Sequence, residues 1–299
     1  MRSVTSIPSS PQTLWQDAWR RFRRDRMAVL GTMILLTIAI SVAIGPWIYH
    51  TPIDKIDFGQ SAQRPSWTHL FGTNDMGQDV LARILSGGRI SLTVGIAAMA
   101  VAVLLGTVVG AVSGFCGGVV DTLLMRITDI FLALPQLPLL LLVMYLFQDR
   151  VQAIAGSKLG VFILIVVVIG SLNWMSLARL VRAEFLTLRS TEFVIAARSL
   201  GASPFRIVTI HILPNVLGTI AVAATLAVGT AMITESTLSF LGLGFPPDVP
   251  TWGRMLYDAR NYLETSPHMA IFPGSAIFLT VLSINYIGDG LRDAIDPKR

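Results

Sequence analysis

Few residues in this 299-residue sequence could carry chemistry of their own. The four histidines, His50, His69, His211 and His268, are scattered, and no two share the i,i+4 spacing that sets two ligands on one helix face. Cys116 is the only cysteine, which excludes an intrachain disulfide and an all-cysteine metal site. No H-E-x-x-H and no G-x-x-x-x-G-K-[ST] phosphate cradle occurs; Gly114-Phe115-Cys116-Gly117-Gly118 is glycine-rich but lacks the following lysine and reads as a turn. We therefore expect no catalytic residue, no metal site and no cofactor held by this chain. What remains is the chemistry of recognition. Glu235 is a candidate pathway-lining carboxylate, placed either to meet an amino group in an outward cavity or to mark the membrane edge. Asp121, Arg126 and Asp129 form a second charged group, either a solvated turn or a helical set in which Arg126 reaches Asp129 or Thr122.

The most informative stretch runs Glu192-Phe193-Val194-Ile195-Ala196-Ala197-Arg198-Ser199-Leu200-Gly201-Ala202-Ser203-Pro204-Phe205-Arg206. Gly201 suits the left-handed residue that ends a helix. Ser203 is a good N-cap, and Pro204 then takes the first helical position, where a missing N–H costs nothing. Pro214 is expected to end or kink the second short helix. A helix bounded this sharply over 193–200, with small Ala196 and Ala197 on it, is suited to docking in another protein's groove. An ordinary interfacial connector fits the local rules equally well.

The elements that must position these residues are membrane helices. Hydrophobic residues make up 53% of the chain, charged residues 14%, and mean hydropathy is +0.65, a balance that would leave large apolar patches on a soluble fold. Six uncharged stretches are long enough to cross a bilayer: 27–48, 90–120, 130–148, 159–178, 216–234 and 269–288. The first is too long for a signal peptide and ends in Gly45-Pro46-Trp47 rather than a cleavage site. In the second, Gly106, Gly110, Gly114, Gly117 and Gly118 either let a neighbouring backbone approach closely or form a mobile helix end. Residues 79–85 have helical apolar spacing and are expected to lie along the outer surface.

A cytoplasmic N-terminus places most of the 23 Lys and Arg inside, with Arg20, Arg21, Arg23, Arg24 and Arg26 flanking the first span. It also puts the loop after the fourth span and the C-terminal tail in the cytoplasm. Nucleic acid binding is not expected, because the arginines flank apolar segments instead of forming a basic face. No Asp, Glu, Lys or Arg lies within the six uncharged stretches, which argues against a proton- or sodium-coupled secondary transporter; a scaffold protein is the other alternative.

Ala196-Ala197, then Gly201, then His211-Ile212-Leu213-Pro214 resembles the "EAA" loop of type I ATP-binding-cassette importer permeases. Ile195 stands where that pattern has Glu, and His211 where it has Ile. The wider string, with Ile212-Leu213-Pro214-Asn215, resembles the dipeptide/oligopeptide/nickel branch. Phe71-Gly72-Thr73-Asn74-Asp75-Met76-Gly77-Gln78-Asp79-Val80-Leu81 and Gly88-Arg89-Ile90-Ser91-Leu92 are similar to the segment before the second helix of that branch's "C" subunit, with Gln78 in place of the usual Arg. Phe240-Leu241-Gly242-Leu243-Gly244, Trp252-Gly253 and the run from Gly288 to Pro297 extend the resemblance, which covers the chain from Trp15 onward.

The resemblance implies an all-α integral membrane protein of type I importer permease (MetI-like) architecture in a bacterial inner membrane. Its parts would be a basic cytoplasmic segment (1–26), a first transmembrane helix (27–48), an extracytoplasmic segment (49–89), a permease core (90–290) and a cytoplasmic tail (291–299). A coupling loop (182–214) would lie within the core. The residues coupling it to an ATPase subunit would be Phe193, Ala196, Ala197, Arg198, Leu200, Gly201, Leu213 and Pro214. Implied partners are a second permease subunit, two ATPase subunits holding ATP and Mg2+, an extracytoplasmic solute-binding protein, and lipid. Peptide, nickel and related solutes are not separated by the sequence.

Overall fold

The structure is a computed structural model that describes residues 14–295; the ends of the basic N-terminal segment and of the C-terminal tail lie outside the described residues. The described residues hold no strand, only an isolated bridge between Thr73 and Asp79. Five helical stretches are long and apolar enough to cross a membrane, and a sixth span forms if one bent pair is counted as a unit.

The chain opens with an amphipathic helix, α1 (Leu14–Arg24), which packs on the end of the last helix. Asp25 interrupts it and starts α2 (Arg26–Ile48), its carboxylate accepting the Met27 and Ala28 N–H groups at 2.8 and 3.3 Å. That cap satisfies donors that a helix start otherwise leaves open. After a folded loop, Asp79 caps α3 (Val80–Cys116) in the same way, through Ala82 N–H at 2.8 Å.

At 37 residues, α3 is about 55 Å long, well beyond the roughly 30 Å hydrocarbon layer. Its first two turns do not lie along a surface as expected. Val80 and Ile84 are buried against Val42, Trp252, Met255 and Ile284. The apolar period there is the packed face of the spanning helix itself.

Gly117 and Gly118, with φ of +67° and +57°, turn the chain into α4 (Gly118–Ala133). Leu134 and Pro135 separate α4 from α5 (Gln136–Ala155), so the expected third span contains a break. The fourth is α6 (Ser157–Ser171) followed by α7 (Trp174–Leu188), bent by 42°. Then come α8 (Glu192–Ser199), the single turn α9 (Pro204–Arg206), a π-helical turn (Ile207–Ile212) and α10 (Leu213–Phe240). Two further helices, α11 (Trp252–Ala259) and α12 (His268–Ile295), complete the described chain.

Packing around α3 decides where the loop of interest sits. Gly106, Gly110 and Gly114 recur at one turn per step and bring the α7 backbone onto α3. A Cβ on Gly110 would lie 2.5 Å from the Ala178 carbonyl oxygen, and one on Gly114 2.6 Å from the Phe185 Cβ. The first three glycines give the close approach, and the last two form the turn into α4. Across the same contact, Arg182 of α7 grips Asp121 of α4 at 2.5 and 2.7 Å, and Ser113 also donates to that carboxylate. Arg189 donates to the Gly114 carbonyl at 3.1 Å.

Candidate functional site

The stretch between α7 and α10 forms a small structured platform. Thr191 precedes α8, and the helix ends as the sequence predicts. Gly201 has φ +81°, with its N–H bonded to Arg198 O and Ala202 N–H to Ala197 O, the paired bonds of a Schellman cap. Ser203 Oγ then accepts the Arg206 N–H at 3.4 Å, with Pro204 at the first helical position.

Of the two outcomes expected at Pro214, an end to the helix does not occur. The helix runs through it, and Pro204–Phe240 counts as one span. An α-helical turn there would need a Pro214 N–H it does not have, and the ring would press on the carbonyl four residues earlier. The chain widens instead into a π turn, in which Leu213 N–H reaches back five residues to Val208 O. The Asn215 side chain donates to His211 O at 2.7 Å. His211, which departs from the resembled pattern, therefore sits in this wide turn and is half-buried.

The platform has an inner and an outer face. Val194 is fully buried in a cluster with Leu177, Val181, Phe185, Ile207, Ile212 and Val216, and Ala197, three residues on and so on the same face of α8, is buried as well. Outward point Phe193, Ile195, Ala196 and Arg198, then Leu200 at 89% and Phe205 at 77% exposure. Leu213 is half-buried beside the cluster, and Pro214 is exposed. Of the residues singled out from sequence, Phe193, Ala196, Arg198, Leu200, Gly201 and Pro214 lie on the outer side. Ala197 lies underneath, because its small side chain lets α8 settle on the cluster. Sequence reasoning missed Phe205 and treated Ile195 only as a departure. The signal for Phe205 was available, since an apolar residue one position after an N1 proline faces away from a helix anchored through Ile207.

The other candidate charges are placed with less ambiguity than their spacing allowed. Asp121 and Asp129 are paired with Arg182 and Arg179 of α7, Asp129 at 2.5 Å, rather than with Arg126. Interhelical partners reach them because the glycine contact brings α7 close. The two guanidinium bonds from Arg182 hold the Asp121 carboxyl well down, to about 2, against the opposing effect of burial.

Glu235 is fully buried and lies within α10, five residues before its end. Ser239 Oγ donates to it at 2.8 Å and Ser236 Oγ at 3.4 Å. Gly253 of α11 closes over the same turn so tightly that a Cβ on it would fall 2.6 Å from Ser236 Cα. Among the described residues no group of three His, Cys, Asp or Glu could hold a metal ion.

Comparison with known proteins bears on this arrangement over nearly its whole length. Residues 102–299 match the family described as binding-protein-dependent transport system inner membrane component, and residues 13–65 match the N-terminal TM domain of oligopeptide transport permease C. Among curated relatives, the chain is 41% identical to the oligopeptide transport system permease protein OppC of Haemophilus influenzae, over 96% of this chain and 89% of that one. It is 40% identical to the glutathione transport system permease protein GsiD of Pectobacterium atrosepticum, over 97% and 93%. It is 37% identical to the dipeptide transport system permease protein DppC of Alkalihalophilus pseudofirmus, over 99% and 96%. A solved chain from the inward-facing MetNI methionine ABC transporter superposes with a TM-score of 0.54 over 70% of this chain and 94% of its own, at 20% identity. That likeness establishes the fold.

Proposed function

This chain belongs to the family of binding-protein-dependent transport system inner membrane components, and from that premise we propose that it forms half of the path by which an ATP-driven importer carries short peptides across the inner membrane. The relatives it matches are transport permeases named for oligopeptides, dipeptides and glutathione, so a peptide-type solute is the reading they support. The other half of the path is a second permease of the same family. Two separate ATPase subunits hold ATP and Mg2+, and an extracytoplasmic solute-binding protein delivers the solute. Both termini and the α8 platform face the cytoplasm, in keeping with the arginines at 20–26 and 179–206.

The observation that carries this reading is the two-faced platform. Val194 and Ala197 root α8 in the helix bundle, while Phe193, Ile195, Leu200 and Phe205 offer an apolar surface beside Arg198. Such a surface suits a groove in an ATPase subunit, and α7, locked to α3 by glycine packing and to α4 by the pair of Arg182 and Asp121, carries a displacement of the platform into the spans.

Gly201→Val tests it. No side chain or backbone atom stands within 4 Å of a Cβ at this position, so the cost is the left-handed backbone alone, roughly 1–2 kcal/mol. The variant is expected to assemble but to loosen the end of α8 and the Leu200 side chain with it. Solute uptake by the reconstituted complex then falls while ATP hydrolysis stops responding to the loaded binding protein. Normal uptake together with normal stimulation of hydrolysis would sink the coupling role.

A further inference from the structure

Two interruptions in the spanning helices meet each other. One is the break at Leu134 and Pro135 between α4 and α5, the other the bend at Leu172 and Asn173 between α6 and α7. Each carries an amide side chain at the interruption. Gln136 Nε2 lies 3.3 Å from Asn173 Oδ1 and 3.4 Å from Leu172 O, and Asn173 Nδ2 donates to Ile169 O at 2.7 Å. The Gln136 Oε1 accepts no hydrogen bond from any described residue.

The depth of these amides makes them unusual. Counting 1.5 Å per residue, Gln136 is about 10 Å along the chain from Asp129 and about 20 Å from Asp149. Asn173 is about 9 Å from Arg179 and about 22 Å from Lys158. The uncharged stretch 130–148 sets Asp129, paired with Arg179, at one membrane boundary and Asp149 at the other, with Lys158 just past the turn at Gly156. Both amides therefore lie inside the apolar layer, in its half nearer the platform. Yet Gln136 is exposed in the chain and Asn173 half-exposed. Polar side chains and broken helices at this depth are tolerated only against protein or a water-filled cavity, never against lipid.

We propose that Gln136 and Asn173 line the solute path, where their amides exchange hydrogen bonds with the backbone of a passing peptide. This deepens the permease reading and rests on it. A primary amide donates and accepts, as a peptide bond does, and carries no charge to favour one peptide's side chains over another's. In the resting chain the two amides partly satisfy each other, so a passing peptide trades one set of bonds for another instead of leaving them open. Neither a charged residue nor a purely apolar wall would give a path this even-handed toward peptides of varied sequence.

The test uses the complete transporter with its second permease, ATPases and binding protein, in a Cys116→Ser background that removes the only native cysteine. Gln136→Cys and Asn173→Cys are each exposed to a membrane-impermeant sulfonated methanethiosulfonate. Val167→Cys and Leu142→Cys, at exposed apolar positions of the same two spans, serve as comparison. Because the thiolate is the reactive form and needs water to exist, both path positions are expected to label about tenfold faster than the apolar ones. Equal, slow labelling at all four overturns the assignment, whether lipid or the second permease covers the amides. In parallel, Gln136→Leu and Asn173→Leu are expected to raise the KM for trialanine uptake about five- to tenfold, since each removes a hydrogen-bonding partner. An unchanged KM in both also overturns it. A wild-type complex that takes up no trialanine counts against the peptide reading alone, because labelling judges the path independently of what travels through it.

Discussion

The two ends of the bundle are built on opposite plans. At the end where α3 begins, most polar groups turned inward are matched, Asp75 Oδ1 being a buried exception. Tyr49 and His69 both reach Asp79 Oδ2 at 2.8 Å while Oδ1 of the same residue caps α3. Arg83, at 2% exposure, donates to Gln78 Oε1 at 2.8 Å and faces Asp258 at 4.0 Å, which in turn pairs with Arg254 at 3.0 Å. Trp252 donates from a fully buried ring to Ile84 O, and Gly87 sits so close to Pro250 that a Cβ on it would lie 1.9 Å from the carbonyl oxygen. At the platform end, large apolar side chains face outward with no cover. The first end ties its loops to one another within the chain, although Phe58 and Trp67 stand exposed on it; the second presents Leu200 and Phe205 as the surface that the proposed coupling needs. The motifs that marked this chain from sequence therefore do two jobs. The blocks around Gln78, Trp252 and Gly244 fasten loops together, whereas the block around Gly201 presents a surface.

The strongest way to break this contrast is at the fastened end. Arg83→Met keeps much of the bulk but removes the charge between Gln78 and Asp258. Burial already pushes the Asp258 carboxyl up, with Arg254 and then Arg83 pulling it back. Asp258 keeps Arg254 but loses its second cation, and Gln78 loses a buried donor, so we expect a loss of about 1–3 kcal/mol, read as a fall in the thermal midpoint in detergent. A midpoint within a degree or two of wild type would mean that this end is not the closed unit described.

A smaller effect is expected between the two ends, where Arg182 holds Asp121. The Asp121 carboxyl is lowered from 3.8 to about 2, so the charged form is favoured in the folded chain. Its contribution is present above pH 4 and is lost as pH falls toward 2. Solvent reaches the pair, which screens it, so Asp121→Asn should cost about 1 kcal/mol at neutral pH. The gap between variant and wild type should narrow on acidification and close near pH 2. A gap that stays constant with pH would assign the loss to packing at Ser113 rather than to charge.

How much of this was legible in the sequence depends on whether the signal was local. The Gly201 cap and the Ser203 and Pro204 start were readable, because each is set by backbone preferences within a few residues. So was the helical membrane architecture, which follows from length and apolarity. The partners of Asp121 and Asp129 were not readable, since they lie on α7, 61 and 50 positions along the chain, and depend on how closely the glycines of α3 let α7 approach. The burial of residues 80–84 was missed for a related reason. A helical apolar period looks the same whether its apolar face meets lipid or Trp252. At Pro214 the local rule held, and the missing N–H was absorbed by a wider turn within the helix rather than by ending it.

The sharpest separation of the two ends predicts almost no change in stability. Leu200→Ser together with Phe205→Ser replaces two side chains that touch little of their own chain, so the thermal midpoint of the isolated permease should stay within about 0.5 kcal/mol equivalent of wild type. The same pair of changes removes the most protruding apolar area of the platform, and anchors of this kind carry most of an interface's binding energy, commonly about 2 kcal/mol or more each. The purified permease should therefore fold normally yet retain far less of its ATPase subunits on size-exclusion chromatography. If assembly is undiminished, the outer face of α8 and α9 is not where the chain is completed, and its exposure would have to be explained by contact with lipid headgroups instead.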